Sequence, residues 1–538
     1  MSRSDPDMVK AMRFPSLAEA VKDAYNQGEE DERLEPMVVV DKESSPLGRF
    51  QKDDYVIFYD IRGEREIEIT RSLTEEDFDS FPVVKGVTLN FVTMIEYDKN
   101  LNAKVAYPPQ EMVTDTLCHV LSDNKIKFIK IVESEKAFHL TYFFNGKSKE
   151  PLPNEKRLIV PSLRVSKPEE RPEMKIREVT QAIKNELRGR DTSIIIANLA
   201  NVDVVGHTES EDAIIKAVEA VDTSLGEIVN ETQKEGVTTI VTADHGTVEK
   251  WLYPDGTIDT GHTNSQVPFI LIEPEIDIQR NIRLRDSGEL ADVAPTILDI
   301  LGLNRPEAMT GVSLLADNPY KHPKKRFLLL ILDGWGIIDE VKGNLIHKAN
   351  TPSFDFLLDK FPAMRLKASG EVVGMPKGSV GNSEVGHLHI GAGRRIPSDR
   401  LRIDNAIENG TFYENPSFLW AMHGAKKNRA LHLLGIVSFY SSHGSMGHLK
   451  ALLKMAKAQG LDKVYVHSIL GRRGEKKESG ARYIDEIENF TKKLNIGKVV
   501  SVIGRHWVLD REENWDRVEK AYRCLVLGDA KKVKIQEA

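Results

Sequence analysis

Three apolar runs in this chain end in aspartate. FLLLIL (Phe327–Leu332) leads into Asp333, SIIIANLANV into Asp203, and VTTIVTA into Asp244. In open α/β sheets ligands gather beyond the carboxyl ends of the strands, so these carboxylates could converge at one rim. Histidines accompany them: His207 in DVVGH, His245 directly after Asp244, and His262 in DTGHTNS. Oxygen and nitrogen donors without a thiolate suit hard or borderline divalent cations such as manganese, zinc or magnesium. Singly, an aspartate after a strand reads as a helix cap and a lone histidine as a hydrogen-bonded surface or core residue. The same ending on separate runs favours the joint reading.

A second feature is GSVGNSEVGHLHIGAG (Gly378–Gly393), where glycines crowd around Ser383. Such a segment lets backbone approach a ligand closely and presents a hydroxyl on a tight turn. By itself it reads as a glycine-rich loop with Ser383 as an N-cap. Beside a dimetal site it reads as a nucleophile whose proton is easily lost. Basic residues form the third feature: Arg62 and Arg65 in DIRGER, Lys136 in ESEKAFHL, Arg472 and Arg473 in LGRRGE, Arg505 in IGRHW and Arg511 in LDREEN. Guanidinium forks bind phosphate and carboxylate oxygens bidentately, which would suit a small phosphorylated acid.

The elements that must position these groups alternate along the chain. Strand candidates are Tyr55–Tyr59, Val87–Val92, Ser193–Leu199, Val237–Thr242, Pro268–Ile272, Phe327–Leu332, Leu431–Val437, Lys463–Ile469 and Lys498–Ile503. Helical periodicity marks Glu211–Val229, Glu289–Leu301 and Met446–Gln459. Runs that are apolar at consecutive positions suit strands covered on both faces, and the alternation predicts α/β architecture with doubly wound sheets. YPPQ (Tyr107–Gln110) and RRIPSDR (Arg394–Arg400) read as linkers, NPYKHPKKR (Asn318–Arg326) as a further connection, and residues 1–15 as a loosely held arm.

The chain has 538 residues and a net charge of −8, so two to four domains are expected. Mild acidity and dispersed basic residues argue against a nucleic-acid or membrane-surface role. Only Cys118 and Cys524 are present, which excludes a disulfide scaffold and a thiolate zinc ribbon. The polar opening MSRSDPDMVK lacks a signal-peptide core, and FLLLIL is too short to span a bilayer. A cytoplasmic protein without a membrane partner is expected.

The strings LLILDGWG, GNLIHKANTP, MPKGSVGNSEVGHLHIGAGR, FVTMIEY, ESEKAFHLTYFFNG, NVDVVGHT, TADHG and GHTNSQVPFIL resemble the cofactor-independent phosphoglycerate mutases, of the alkaline phosphatase-like superfamily. The resemblance runs from about Ala20 to Gly528, but in rotated order. The family begins with the LDGWG strand, whereas here TGVSLL (Thr310–Leu315) and NPYKHPKKR precede it. The chain thus resembles a circular permutant with two doubly wound α/β domains. A transferase domain would comprise residues 1–108 and 397–538, and a phosphatase domain residues 109–396, internally joined at about 316–326.

Residue by residue, the resemblance implies one manganese at Asp203, His207 and His262, and another at Asp333, Ser383, Asp244 and His245. Zinc, magnesium or cobalt could stand in for manganese, and no 2,3-bisphosphoglycerate is required. Ser383 would become phosphoserine, Lys136 would reach the phosphoryl group, and His443 would be the catalytic histidine. Arg62, Arg65, Arg472, Arg505 and Arg511 would bind substrate. Two positions depart from the family pattern: its DGRD reads LGRR (Leu470–Arg473), and its Asp-Gly-Gly before the histidine reads Phe439-Tyr440-Ser441. An Asp-to-Arg exchange replaces an acceptor with donors.

The expected activity is interconversion of 3-phosphoglycerate and 2-phosphoglycerate by a monomer, with hinges near Tyr107–Gln110 and Arg394–Arg400. The alternative is a metal-dependent phosphomonoester hydrolase on the same scaffold, in which water intercepts the phosphoserine. A non-catalytic scaffold would not need the full set of metal-type residues.

Overall fold

The structure is a computed structural model that describes residues 11–109, 112–163, 167–189, 191–320, 322–438, 443–471 and 479–536. It divides into two compact units, Met1–Pro109 with Arg402–Ala538, and Gln110–Leu401.

The Gln110–Leu401 unit is built on an eight-stranded sheet. Its order is Gly288–Glu289, Ala363–Lys367, Val267–Ile272, Thr238–Thr242, Phe327–Leu332, Ile194–Leu199, Phe128–Glu133 and Glu155–Val160. Val267–Ile272 runs antiparallel to both neighbours; the other pairings are parallel. Every residue of Phe327–Leu332 and Ile194–Leu199 is buried, as strands covered on both faces require. Leu329 pairs with Ile196 on one side and Ile240 on the other, so three parallel strands end level with one another. That register puts three acid-bearing loops side by side.

Phe128–Glu133 has no counterpart among the strands expected from sequence, because Lys130 interrupts its apolar run. Lys130 is nevertheless fully buried, donating to Asn145 and lying 3.5 Å from Glu155 Oε1. The long helix Glu211–Glu235 outruns its periodic stretch and stops at Gly236, which takes φ +65°. The RRIPSDR segment stays with this unit, Ser398 N donating to Gly374 O at 2.7 Å.

The other unit carries a nine-stranded sheet. Its order is Met12–Phe14, Lys531–Ile535, Met37–Val40, Lys498–Gly504, Val464–Leu470, Leu431–Ile436, Tyr55–Phe58, Asn90–Ile95 and Lys104–Tyr107. Met37–Val40 is antiparallel to Lys498–Gly504, and the remaining pairings are parallel. Two expectations are corrected here. Met12–Phe14 is not part of a loose arm but an edge strand paired with Val533–Ile535, and Gln536 N donates to Phe14 O. The strand expected at Val87–Val92 is Asn90–Ile95, because Asp53 N bonds Thr88 O and the Asn90 side chain bonds Asp53 O, holding the preceding residues in a turn. Among the described residues no helix is long and apolar enough to cross a membrane.

Candidate metal centre

Asp333, Asp203 and Asp244 lie just beyond the level ends of the three central strands. Backbone bonds tie the loops together: Asp203 N donates to Asp333 O at 3.1 Å, and Gly334 N donates to Asp244 Oδ1 at 3.2 Å. Gly334 takes φ +81°, and a Cβ there would stand 2.9 Å from the Asp203 backbone. Only glycine lets the turn after Asp333 pass this close.

Ser383 is brought to the same rim by the helix Ser383–Ala392. Its N-cap is Asn382, whose side chain accepts from Val385 N, so Ser383 itself is free of the capping role that a glycine-rich loop would give it. Helix and Asp244 loop approach so closely that a Cβ on Gly386 would lie 2.5 Å from Asp244 O. Ser383 Oγ accepts from Lys136 Nζ at 2.6 Å, lies 2.9 Å from His245 Nε2, and donates to Asp333 Oδ1 at 3.3 Å. Lys136 also donates to Asp203 Oδ2 at 2.5 Å and Asp333 Oδ1 at 2.7 Å.

The histidines are turned inward by a common device. His207 Nδ1 bonds Thr260 O at 2.7 Å, His262 Nδ1 bonds Gly381 O at 3.1 Å, and His245 Nδ1 bonds Gly246 O at 3.2 Å. Each backbone carbonyl fixes the Nδ1–H tautomer and leaves Nε2 as the donor nitrogen, the arrangement that metal-ligating histidines use. The Nε2 atoms of His207, His245 and His262 stand 3.4, 3.5 and 3.1 Å from Asp203 Oδ1. Potential ligand atoms fall within 4.8 Å of one another in Asp203–His207–His262, Asp203–His245–Asp333 and Asp244–Asp333–His387.

Electrostatics favour added positive charge. Three buried carboxylates face one ammonium, and the buried Asp244 Oδ2 makes no hydrogen bond. Burial alone would raise the Asp203 carboxyl, but Lys136, His207 and His262 outweigh it and hold it well below the usual range. Burial and then the Asp244 charge push Asp333 upward despite Lys136. Burial opposes the charged form of Lys136, yet Asp333 and Asp203 raise its affinity for the proton. An all-oxygen-and-nitrogen donor set with excess negative charge fits divalent cations. His207 retains 44% side-chain exposure while Asp244, His245 and Asp333 have none, so the centre opens on the His207 side.

Two partners of this centre escaped the sequence reading. Asn198, inside a buried strand, donates to Asp333 Oδ2 at 2.7 Å and lies 3.1 Å from His387 Nε2. His387 sits one turn after Ser383, its Nδ1 bonding Ser383 O at 2.9 Å. A polar residue in an otherwise apolar strand, and a histidine four positions after a candidate nucleophile, were the signals.

In the other unit a second cluster forms at the carboxyl ends of Tyr55–Phe58, Leu431–Ile436 and Lys498–Gly504. Arg62 Nε and Arg511 Nη1 both bond Glu64 Oε1, at 2.8 and 3.0 Å, and Arg65 Nη1 bonds Leu509 O at 3.2 Å. His443 is buried, its carbonyl accepts from Ile61 N, and its Nδ1 lies 3.0 Å from Glu66 Oε1. The Arg505 charge acts on the buried carboxyl of Asp60. Arg472, together with Arg473 and Phe439-Tyr440-Ser441, lies outside the described residues.

Comparison with known proteins adds two sequence-family matches. A model described as the Metalloenzyme superfamily matches residues 41–305, just under half of the chain. A model described as the BPG-independent PGAM N-terminus matches residues 403–538. A 2,3-bisphosphoglycerate-independent phosphoglycerate mutase of Moorella thermoacetica is 40% identical over 301 residues, 56% of this chain and 57% of the relative. One from Thermomicrobium roseum is 42% identical over 304 residues, 56% of this chain and 58% of the relative. The chain therefore spans less than two thirds of the curated relatives it matches. A solved phosphoglycerate mutase of Leishmania mexicana is 29% identical and covers 57% of this chain and 59% of its own at a TM-score of 0.38, an overlay that bears no weight here.

Proposed function

We propose that this chain is a dimetal phosphoglycerate mutase, interconverting 3-phosphoglycerate and 2-phosphoglycerate through a phosphoserine at Ser383. The observation that carries the reading is the convergence of Lys136, His245 and Asp333 on Ser383 Oγ, beside three inward-turned imidazoles. The names of the relatives support the same activity.

Asp203, His207 and His262 would hold one divalent cation, and Asp244, His245, Asp333 and Ser383 the other, with manganese the proposed metal. When bound, such cations supply charge that polarises a phosphoryl group and eases ionisation of a hydroxyl. Ser383 Oγ, its proton released to solvent beforehand, attacks phosphorus as the bond from phosphorus to the glycerate oxygen breaks. Lys136 spreads positive charge over the phosphoryl oxygens as this occurs. The departing glycerate oxygen takes a proton from His443. In the return step the other glycerate hydroxyl gives its proton to His443 and attacks the phosphoserine, restoring Ser383. Arg62, Arg65, Arg505 and Arg511 provide the forks that hold a carboxylate and a phosphate. The proposed enzyme is a cytoplasmic monomer.

The rotated domain order belongs to this reading. A model described as an N-terminus matches the chain's last 136 residues, 403–538, downstream of the superfamily match at 41–305, which supports permutation. The test of function is turnover of 3-phosphoglycerate without bisphosphoglycerate, followed by product identity. A hydrolase would release inorganic phosphate in step with substrate loss, whereas a mutase would release almost none.

A further inference from the structure

We infer that Glu66 is the positioning residue of His443, holding its imidazole with Nδ1 protonated and Nε2 as the nitrogen that exchanges protons with substrate. The inference deepens the proposed function and rests on that reading of His443.

Glu66 occupies the N-cap position of the helix Ile67–Thr74, yet its side chain makes no capping bond. A carboxylate at an N-cap ordinarily accepts from the free amides of the first turn. Here the side chain turns away into a site where it has no exposed surface, and Oε1 lies 3.0 Å from His443 Nδ1. The second oxygen, Oε2, is buried without a hydrogen bond. Burying a half-satisfied carboxylate is a poor way to stabilise a fold. An ionised carboxylate can only accept, so the nitrogen facing it must carry the proton. His443 is fixed from its backbone side as well, since Ile61 N donates to its carbonyl.

Asp60 is the other buried acid of the cluster, its ligand atoms within 4.8 Å of those of Glu66 and His443. Its Oδ1 is taken by Ile436 N at 2.8 Å. Burial, then the nearby Glu66, push the Asp60 carboxyl well above its ordinary range, and Arg505 only partly offsets this. Asp60 thus turns an oxygen to a backbone amide, and the carboxylate oxygen that faces His443 Nδ1 is that of Glu66. Among the described residues Tyr97 also faces the two acids, its hydroxyl donating to the Phe58 and Asp60 carbonyls.

The test uses the full, manganese-loaded chain with nitrogen-15-labelled histidine. Wild type should show His443 with Nδ1 protonated and Nε2 unprotonated in its neutral form, a readout that does not depend on turnover. Glu66→Gln should lose that preference. It should also lower kcat about tenfold to hundredfold with little change in KM, and move the alkaline limb of the kcat profile, where His443 loses the proton it gives to the departing oxygen, to lower pH. Glu66→Asp should recover part of kcat. Glu66→Gln added to a His443→Asn background should cost almost nothing further. The inference is overturned by an Nε2-protonated His443 in wild type, or by a folded Glu66→Gln variant with unchanged tautomer and pH profile. Absence of mutase turnover in wild type would instead remove the functional reading, while the tautomer measurement would still decide the role of Glu66.

Discussion

Lys136 Nζ stands 2.6 Å from Ser383 Oγ although 247 residues separate them in the chain. The same ammonium bonds Asp203 and Asp333, so one side chain joins the proposed nucleophile to two of the three strand-terminal acids. Desolvation would make a lone buried lysine costly, and here the acids keep it charged. A fixed positive charge beside a hydroxyl lowers the cost of forming an oxyanion there and of placing phosphoryl oxygens next to it.

Ser383→Ala removes the hydroxyl that Lys136 contacts. Activity should fall to the limit of detection, while the circular dichroism spectrum and at least one bound manganese persist. Wild-type-like turnover in the variant would remove Ser383 as nucleophile.

Lys136→Gln takes away the ammonium but leaves the proposed metal ligands in place. Turnover should drop about 100-fold or more, as loss of one preorganised charge typically does. Steady-state assays on metal-loaded protein measure this, and a change below about threefold would show that Lys136 only balances buried charge.

Gly386→Ala tests the close approach of the Ser383 helix to the Asp244 loop. A Cβ would lie 2.5 Å from Asp244 O and 2.7 Å from Asp244 Cβ, so backbone must move. A loss of about 1–3 kcal/mol in denaturant unfolding is expected, along with weaker manganese retention by elemental analysis. Wild-type stability and metal content together would mean that the two segments can separate freely.

His389 supplies a pH dependence. Its Nδ1 donates to Val385 O at 2.7 Å, its Nε2 accepts from Ile396 N at 2.9 Å, and burial lowers its pKa to about 4. The unfolded chain, titrating near 6.5, binds this proton more readily than the folded one, so stability falls as pH drops below about 6.5 and the loss levels off near pH 4. Between pH 6.5 and pH 5 the single site contributes a loss of about 2 kcal/mol. His389→Gln should lose correspondingly less over that interval in urea unfolding. Parallel losses in both proteins would refute the assignment.

Much of the centre was legible because its signals are local. A buried-type strand that ends in aspartate needs no tertiary knowledge to notice, and three of them in a parallel sheet must end at one rim. Asn198 and His387 were not legible, since each acquires meaning only once Asp333 and Ser383 have been placed. Phe128–Glu133 was hidden by Lys130, whose partner Glu155 opens the neighbouring strand. Glu66 was passed over because it lies among arginines that attract attention first. Its departure from the helix cap toward His443 is a tertiary choice that no periodicity records.

The most direct test of the account is phosphorus NMR of the manganese-loaded protein with 3-phosphoglycerate and no bisphosphoglycerate. A mutase gives a growing 2-phosphoglycerate signal with almost no inorganic phosphate, lost on chelation and restored by manganese. Inorganic phosphate rising in step with substrate loss, without 2-phosphoglycerate, would contradict the mutase and leave a phosphatase.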